Sequence, residues 1–184
     1  TALDPAGSVA REQYASADNM TERMTALSLL VSRGLGKKEL AAFHSEWRHD
    51  RLVIDKWFTV QAALTPPEMA VETVEALSRR DDFDWRNPNR FRSLIGAFAS
   101  GNPAGFHRAD GSGYRLVVDW LIRLDALNPQ TTARLASLLG TWRMFDPGRQ
   151  ALMKAELERL AARPDLSRDT GEIVGRLLRG AAEN

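Results

Sequence analysis

The apolar residues of this chain recur with the period of an α-helix. Three stripes follow i, i+3, i+4 and i+7 spacing, which places their side chains on one helix face. The stripes are Phe91, Leu94, Ile95 and Phe98; Val117, Trp120, Leu121 and Leu124; and Leu135, Leu138, Leu139 and Trp142. Alternating patterns typical of strands are essentially absent. The pattern predicts an all-α protein of about eleven helices.

Asx-Pro pairs mark where several of these helices begin. An Asn or Asp side chain caps free backbone N–H groups, and a proline in the first turn lacks only a donor that would otherwise be unpaired. The pairs are Asp4-Pro5, Asn87-Pro88, Asn102-Pro103, Asn128-Pro129 and Asp146-Pro147. No Gly/Ser-rich or low-complexity stretch divides the chain, so residues 1–184 are predicted to form a single all-helical domain.

Small residues accompany the apolar stripe of the helix that starts near Asn89. Ser93, Gly96, Ala97 and Ser100 recur at helical spacing, and such residues let a second helix backbone approach closely. Close-packed antiparallel helices indicate a superhelical array. No clean repeat period is visible in the sequence, so any repeat is structural and degenerate.

Composition and charge exclude several classes of function. The chain has 25 Lys and Arg against 24 Asp and Glu, so no global field recruits nucleic acid or an anionic membrane. It has no Cys, which excludes thiolate chemistry and fits a reducing compartment such as the cytoplasm. No apolar run approaches the roughly 20 residues of a membrane span. The chain begins without Met, at "TALDPAGSVAREQY", and is expected to be part of a longer protein.

The residues that usually carry catalysis form no complete set. His44 and His49 lie five residues apart and do not share a helix face, and His107 stands alone near a helix end. The zinc motif His-Glu-x-x-His is absent. Glu46 and Asp50 are spaced as a carboxylate pair, but a solvated helix end explains them more simply. Trp57, Trp120 and Trp142 lie on apolar stripes and are predicted core residues. The chain is expected to have no catalytic or metal-ligating residues of its own.

One polar stripe is open to two interpretations. Gln130, Arg134, Ser137 and Thr141 lie opposite the leucine face of their helix, and Thr131 and Thr132 extend that polarity. A solvated face is the simpler interpretation. The stripe lacks the Glu and Lys mixture typical of exposed helix faces, so it could also line a groove for a peptide or a partner domain.

Several segments, taken in order, resemble a known family. They are "DNMTERMTALSLL", "LVIDKWFTVQA", "NPNRFRSLIGAFASGNPAGFHRADGSGY", "LNPQTTARL" and "RQALMKAELERL". The series closely resembles the C-terminal domain of the bacterial aminopeptidase N family, whose members are zinc metallopeptidases of the gluzincin class. The resemblance runs from about Asp4 to Leu178.

The resemblance implies a fold, a parent protein and partners. In the family this domain is a superhelix of armadillo/HEAT-like helix pairs that closes over the catalytic domain and restricts the access of peptides. The zinc site lies in that catalytic domain, so no cofactor is expected in this chain and zinc is expected in the parent. The implied partners are the catalytic domain of the same parent chain and peptide substrates.

The resemblance also implies three substrate-binding residues. The family's "N-P-Q-x-x-x-R" helix contributes a glutamine and an arginine to the prime side of the cavity, which match Gln130 and Arg134. The arginine that closes "N-P-N-R-x-R" faces the interior and matches Arg92. Two hypotheses follow: a non-catalytic domain that caps the cavity of a zinc aminopeptidase, or a free-standing helical-repeat module that binds a peptide or protein.

Overall fold

A computed structural model describes residues 5–180, and every regular element in that range is helical. The chain divides into two compact units, one ending at Asn102 and one beginning at Pro103. The prediction of an all-α fold is confirmed. The prediction of one domain over residues 1–184 is not decided by this division and stays a prediction.

The first unit contains seven α-helical segments among its described residues. They are α1 (Pro5–Ser16), α2 (Met20–Ser32), α3 (Lys37–Trp47), α4 (Arg51–Leu64), α5 (Pro67–Ser78), α6 (Pro88–Phe91) and α7 (Ala97–Gly101), with a π-helical turn at Arg92–Gly96. Helix α4 packs against α2, α3, α5 and α7, so it forms the centre of this unit. Its own Ile54 and Phe58 are buried, as are Leu27 of α2 and Phe43 of α3.

The second unit contains five α-helical segments within the described part of the chain. They are α8 (Pro103–Phe106), α9 (Ser112–Leu124), α10 (Pro129–Ala136), α11 (Pro147–Ala161) and α12 (Arg168–Arg179), with a 3₁₀-helix at Ser137–Met144. Leu121, Leu139, Met153, Leu157 and Val174 are buried in this unit. Helix α6, the π turn and α7 follow one another without a break and count as one helix, and the 3₁₀-helix continues α10. Residues 5–180 therefore form eleven helices, as predicted.

Helix starts follow the predicted Asx chemistry in three of the five cases. The Asn87, Asn128 and Asp146 side chains accept hydrogen bonds from backbone N–H groups of α6, α10 and α11. Asn102 is buried, and its side-chain NH₂ group donates to Ala62 O and Thr65 O at the end of α4. Asp4 lies outside the described residues.

The segment that contains the predicted small residues approaches α4 at two points, Ser93 and Gly101. Ser93 is buried, and its carbonyl accepts a hydrogen bond from the Thr59 hydroxyl at 3.2 Å. A Cβ added at Gly101 would lie 3.0 Å from the Ala63 Cβ. Ser100 is exposed instead, and its hydroxyl donates to Gly96 O.

The apolar stripes are buried, with one exception. Phe91, Leu94, Ile95 and Phe98 are fully buried, and Trp57, Trp120 and Trp142 lie in the core as predicted. Leu135 and Leu138 are only half-buried. The helix tightens from α10 into the 3₁₀-helix at Ser137, which rotates Leu138 and later side chains away from the 3.6-residue period. Leu135 lies before this change, in α10.

None of the helices in residues 5–180 combines the length and the apolarity that crossing a lipid bilayer requires.

Candidate functional site

The polar stripe of α10 and the following 3₁₀-helix is exposed along its length. Gln130, Arg134, Ser137 and Thr141 all lie at the surface of the second unit. Gln130 and Arg134 are one turn apart on α10, so their Cβ atoms are about 6 Å apart. Neither side chain has a hydrogen bond or ion pair with any described residue. The structure therefore presents an amide and a guanidinium side by side with their polar groups uncommitted.

The two threonines of this segment differ from the prediction. Thr132 was predicted to extend the polar stripe, but it is fully buried. Its hydroxyl donates to the Asn128 carbonyl at 3.1 Å, which satisfies the hydroxyl within the helix. Thr131 is half-buried, and its backbone N–H donates to the Asn128 side chain that caps α10.

The two arginines of "NRFR" have opposite surroundings. Arg92 is exposed on the first unit, where its Nε donates to Pro88 O at 3.0 Å and its Nη2 to Asn89 Oδ1 at 3.2 Å. Arg90 is buried, and its Nε contacts Asp55 Oδ1 at 2.6 Å. Arg90 therefore holds the fold together, while Arg92 is available at the surface.

A π-helical turn begins at Arg92 and ends at Gly96. Such turns insert one residue into a helix, are rare, and occur often at functional sites. Nothing in the residue pattern indicates this turn, because the 3.6-residue apolar stripe continues through it.

Glu46 and Asp50, the possible carboxylate pair, each have a structural role. Asp50 caps α4 by accepting from the backbone N–H groups of Leu52 and Val53. Glu46 forms an ion pair with Arg23 at 2.9 Å. Asp50 therefore stabilises the start of α4, and Glu46 links α3 to α2 through Arg23.

His44 belongs to a hydrogen-bonded cluster with Asp82 and Arg80. His44 Nε2 lies 2.6 Å from Asp82 Oδ2, and Arg80 contacts both groups. Burial raises the pKa of Asp82, but hydrogen bonds from Arg80 and His44 outweigh it and lower that pKa to about 2. Within residues 5–180, no three His, Cys, Asp or Glu side chains lie together in a way that could hold a metal ion.

His107 sits in an aromatic cluster rather than in solvent. Its ring stacks on Phe145 with centroids 4.3 Å apart, and its Nδ1 lies 3.0 Å from the Tyr114 hydroxyl. Burial, and the nearby charge of Arg149, lower the pKa of His107. Burial raises the pKa of Tyr114 to about 12, so its hydroxyl remains protonated at neutral pH.

We expect His107 to make the chain less stable in mild acid. The unfolded imidazole titrates near 6.5 and the folded one lower, so unfolding takes up a proton below that pH. The urea midpoint should fall between pH 8 and pH 5.5, and His107→Gln should reduce that fall. The exposed His49→Gln serves as the control and should leave the fall unchanged. An equal fall in the wild type and His107→Gln would contradict the assignment.

With the geometry described, comparison with known proteins identifies relatives. Residues 2–179 match the family described as "Domain of unknown function (DUF3458_C) ARM repeats". Aminopeptidase N of Haemophilus influenzae is 43% identical over 170 residues, which are 91% of this chain and 19% of that protein. Aminopeptidase N of Caulobacter vibrioides is 42% identical over 167 residues, which are 90% of this chain and 19% of that protein.

A solved structure shows the same fold over nearly the whole chain. The crystal structure of Legionella pneumophila aminopeptidase A in complex with aspartic acid has a TM-score of 0.87 with this chain at 33% sequence identity. The matched region is 94% of this chain and 20% of the Legionella pneumophila chain. The chain thus spans about a fifth of the length of these relatives.

The family match covers nearly the whole chain, and relatives with more than 40% identity carry one name. The chain therefore belongs to this family of ARM-repeat domains, the family of the helical C-terminal domain of bacterial aminopeptidase N.

Proposed function

We propose that this chain is a non-catalytic domain of a zinc aminopeptidase that removes N-terminal residues from peptides. The observation that carries the proposal is its identity of 42–43% with aminopeptidase N proteins about five times its length. The domain caps the cavity of the catalytic domain and restricts the peptides that enter. The zinc ion belongs to that catalytic domain, and the isolated chain is expected to hydrolyse no peptide.

Gln130 and Arg134 support a substrate-binding role through their exposure and their uncommitted polar groups. A guanidinium binds a carboxylate or carbonyl through a fixed fork of N–H donors, and the amide of glutamine both donates and accepts. These two residues line the prime side of the cavity, beyond the bond that is cut. Arg92, an exposed residue of the first unit, is a third proposed substrate-binding residue.

The proposal includes a location and a set of partners. The catalytic domain of the same parent chain and peptide substrates are the partners, and the parent acts in the cytoplasm. Nucleic acid is not a partner, because Lys and Arg exceed Asp and Glu by only one residue.

Arg134→Ala in the parent enzyme should weaken peptide hydrolysis selectively. A charge-assisted hydrogen bond to the prime side of a peptide is lost, which lowers kcat/KM by about tenfold to a hundredfold. An aminoacyl arylamide has a small leaving group that makes fewer prime-side contacts, so its kcat/KM should change by less than about threefold. The measurement compares kcat/KM for a tripeptide and for an arylamide with the same N-terminal residue.

Arg115 provides a matched control for this experiment. It is exposed on α9 of the same unit and has no ion pair with a described residue. Arg115→Ala should leave both substrates unaffected. The assignment of Arg134 fails if its substitution also changes neither substrate, in which case the stripe is ordinary surface. A lower melting temperature of Arg134→Ala would instead indicate a role in folding.

A further inference from the structure

The segment that carries the polar stripe packs against helix α12 and is bonded to it near both of its ends. One group of contacts lies at the start of α10, and the other lies at the end of the 3₁₀-helix. Between the two groups, a Cβ added at Gly140 would lie 2.9 Å from the Leu177 Cδ2, so the segment and α12 are in close contact there. The position of Gln130 and Arg134 therefore depends on how α12 holds this segment.

The contact at the start of α10 belongs to a buried hydrogen-bond network centred on Asp125. Asp125 follows α9 directly and is only 3% exposed. Its Oδ1 accepts from the Ser167 hydroxyl at 2.7 Å and from the Thr170 hydroxyl, and its Oδ2 accepts from the Ser167 backbone N–H. These donors belong to the N-cap and the first turn of α12, where the partial positive charge of a helix N-terminus also favours a carboxylate. The network links the end of α9 to the start of α12.

Thr170 is the residue through which this network reaches α10. Its side chain is fully buried, and its hydroxyl lies 3.4 Å from Pro129 O in the first turn of α10. Gln130 is the next residue along the chain, and Arg134 follows one turn later. Because the hydroxyl has one hydrogen and its contact with Asp125 is the shorter, that bond directs the hydroxyl and holds Thr170 against Pro129.

The contact at the end of the 3₁₀-helix uses the last turn of α12. Carbonyl groups in the last turn of a helix have no partner within the helix. The carbonyl of Leu177 accepts from Trp142 Nε1 at 3.2 Å and from Arg143 Nη1 at 3.0 Å. The carbonyl of Leu178 accepts from Arg143 Nη2 at 2.7 Å. The segment that carries the polar stripe is thus bonded to both ends of the same helix.

We propose that Thr170 and Asp125 are positioning residues for the substrate site that contains Gln130 and Arg134. The inference rests on the proposed function of those two residues. A hydrogen bond of about 3 Å from Arg134 to a peptide oxygen tolerates little displacement of the helix that carries the guanidinium. Loss of the bond between Thr170 and Asp125 releases the start of α10 from α12 and weakens that contact. The two bonds from Ser167 remain, so the fold is preserved.

The test measures kcat and KM of the longer enzyme for a tripeptide and for an arylamide with the same N-terminal residue. Thr170→Val keeps the shape of the side chain and removes its hydroxyl. We expect KM for the tripeptide to rise about five- to tenfold with kcat within about twofold, because the lost contact binds ground state and transition state alike. The arylamide makes fewer prime-side contacts, so its kcat and KM should change by less than about twofold. Thr170→Ser retains the hydroxyl and should keep KM for the tripeptide within about twofold of the wild-type value.

Thr132→Val is the matched control for the loss of a buried hydroxyl. Thr132 is a fully buried threonine of α10, but its hydroxyl donates to Asn128 O at the start of the same helix. This substitution does not release α10 from α12, so KM for the tripeptide should stay within about twofold of the wild-type value. Ser167→Ala removes the other hydroxyl of the network at a half-buried position and is the second test variant. It should raise KM for the tripeptide in the same direction as Thr170→Val.

The double variant Arg134→Ala/Thr170→Val distinguishes positioning from a general loss of stability. If Thr170 acts through Arg134, its substitution should change kcat/KM for the tripeptide by less than about twofold once Arg134 is absent. A general loss of stability would add its full effect in both backgrounds.

Four results decide the inference. A selective rise in KM for the tripeptide that disappears in the double variant supports it. It is overturned if Thr170→Val leaves the tripeptide unaffected while Arg134→Ala weakens its hydrolysis, a result that leaves the proposed function intact. It is also overturned if Thr170→Val impairs both substrates equally. Failure of the proposed function gives a different pattern, in which Arg134→Ala itself changes neither substrate, and the inference then falls with it. If Thr170→Val does not fold, Ser167→Ala is judged by the same criteria.

Discussion

Arg90→Ala should lower the free energy of unfolding of this chain by about 3 kcal/mol. The buried guanidinium contacts Asp55 Oδ1 at 2.6 Å and also donates to the carbonyl of Asp82. It lies over the Phe58 ring at 4.9 Å from the centroid. Its removal leaves the Asp55 carboxylate, 21% exposed, without its cation, and leaves a carbonyl without its donor. Urea unfolding at neutral pH measures the loss.

Arg92→Ala is the matched control, because it removes the same side chain two residues further on. Arg92 is exposed and bonds only groups within its own helix, so the expected change is within about 0.5 kcal/mol. Similar losses for the two variants would contradict the division of roles between these arginines. A destabilising Arg92→Ala would also remove Arg92 from the proposed substrate-binding set.

Gly113→Ala should have a comparable effect on the second unit. A Cβ at this position would overlap the carbonyl oxygen of Phe106 and lie 2.7 Å from the carbonyl oxygen of Gly105. Both obstacles are backbone atoms of α8, the short helix that precedes α9, so a rotamer change cannot relieve the overlap. We expect a loss of about 3 kcal/mol, at the upper end of the usual cost of overpacking. The melting temperature and the urea midpoint both report it.

Gly171→Ala is the control for this substitution. Gly171 lies in α12, where the nearest atom to an added Cβ is the Leu166 Cδ2 at 3.9 Å. Alanine exceeds glycine in helix propensity, so this variant should be unchanged or more stable by up to about 1 kcal/mol. If Gly113→Ala is tolerated as well as Gly171→Ala, the close approach at Gly113 is wrong.

Local chemistry explains what the sequence predicted well. Asn87, Asn128 and Asp146 cap helices because the donor and acceptor lie within three residues of each other. The stripe from Phe91 to Phe98 is buried because helical spacing alone places its members on one face. These features depend on short-range geometry, which residue order determines.

The features that the sequence did not predict depend on contacts between residues that lie far apart in the chain. Asn102 bonds the end of α4 about forty residues earlier in the chain, and Arg90 is buried because Asp55 happens to face it. Nothing in "NRFR" distinguishes its two arginines.

The assignment of Gln130, Arg134 and Arg92 to substrate binding rests on the family resemblance more than on the fold. Exposure of Gln130, Arg134 and Arg92 agrees with a cavity lining and equally with a solvated surface. Within the described residues, no hydrogen bond or ion pair engages the Gln130 or Arg134 side chain, so both are free to bind a ligand. The discriminating observation therefore requires the longer protein and a bound peptide.

The most direct measurement is a crystal structure of the longer protein that contains this chain, with a non-hydrolysable tripeptide analogue bound. The account predicts that the Arg134 guanidinium lies about 3 Å from a carbonyl or carboxylate oxygen on the prime side of the analogue. Gln130 should lie beside it, one turn earlier on α10. An Arg134 side chain that faces bulk solvent, with no ligand atom within about 6 Å, would contradict the account.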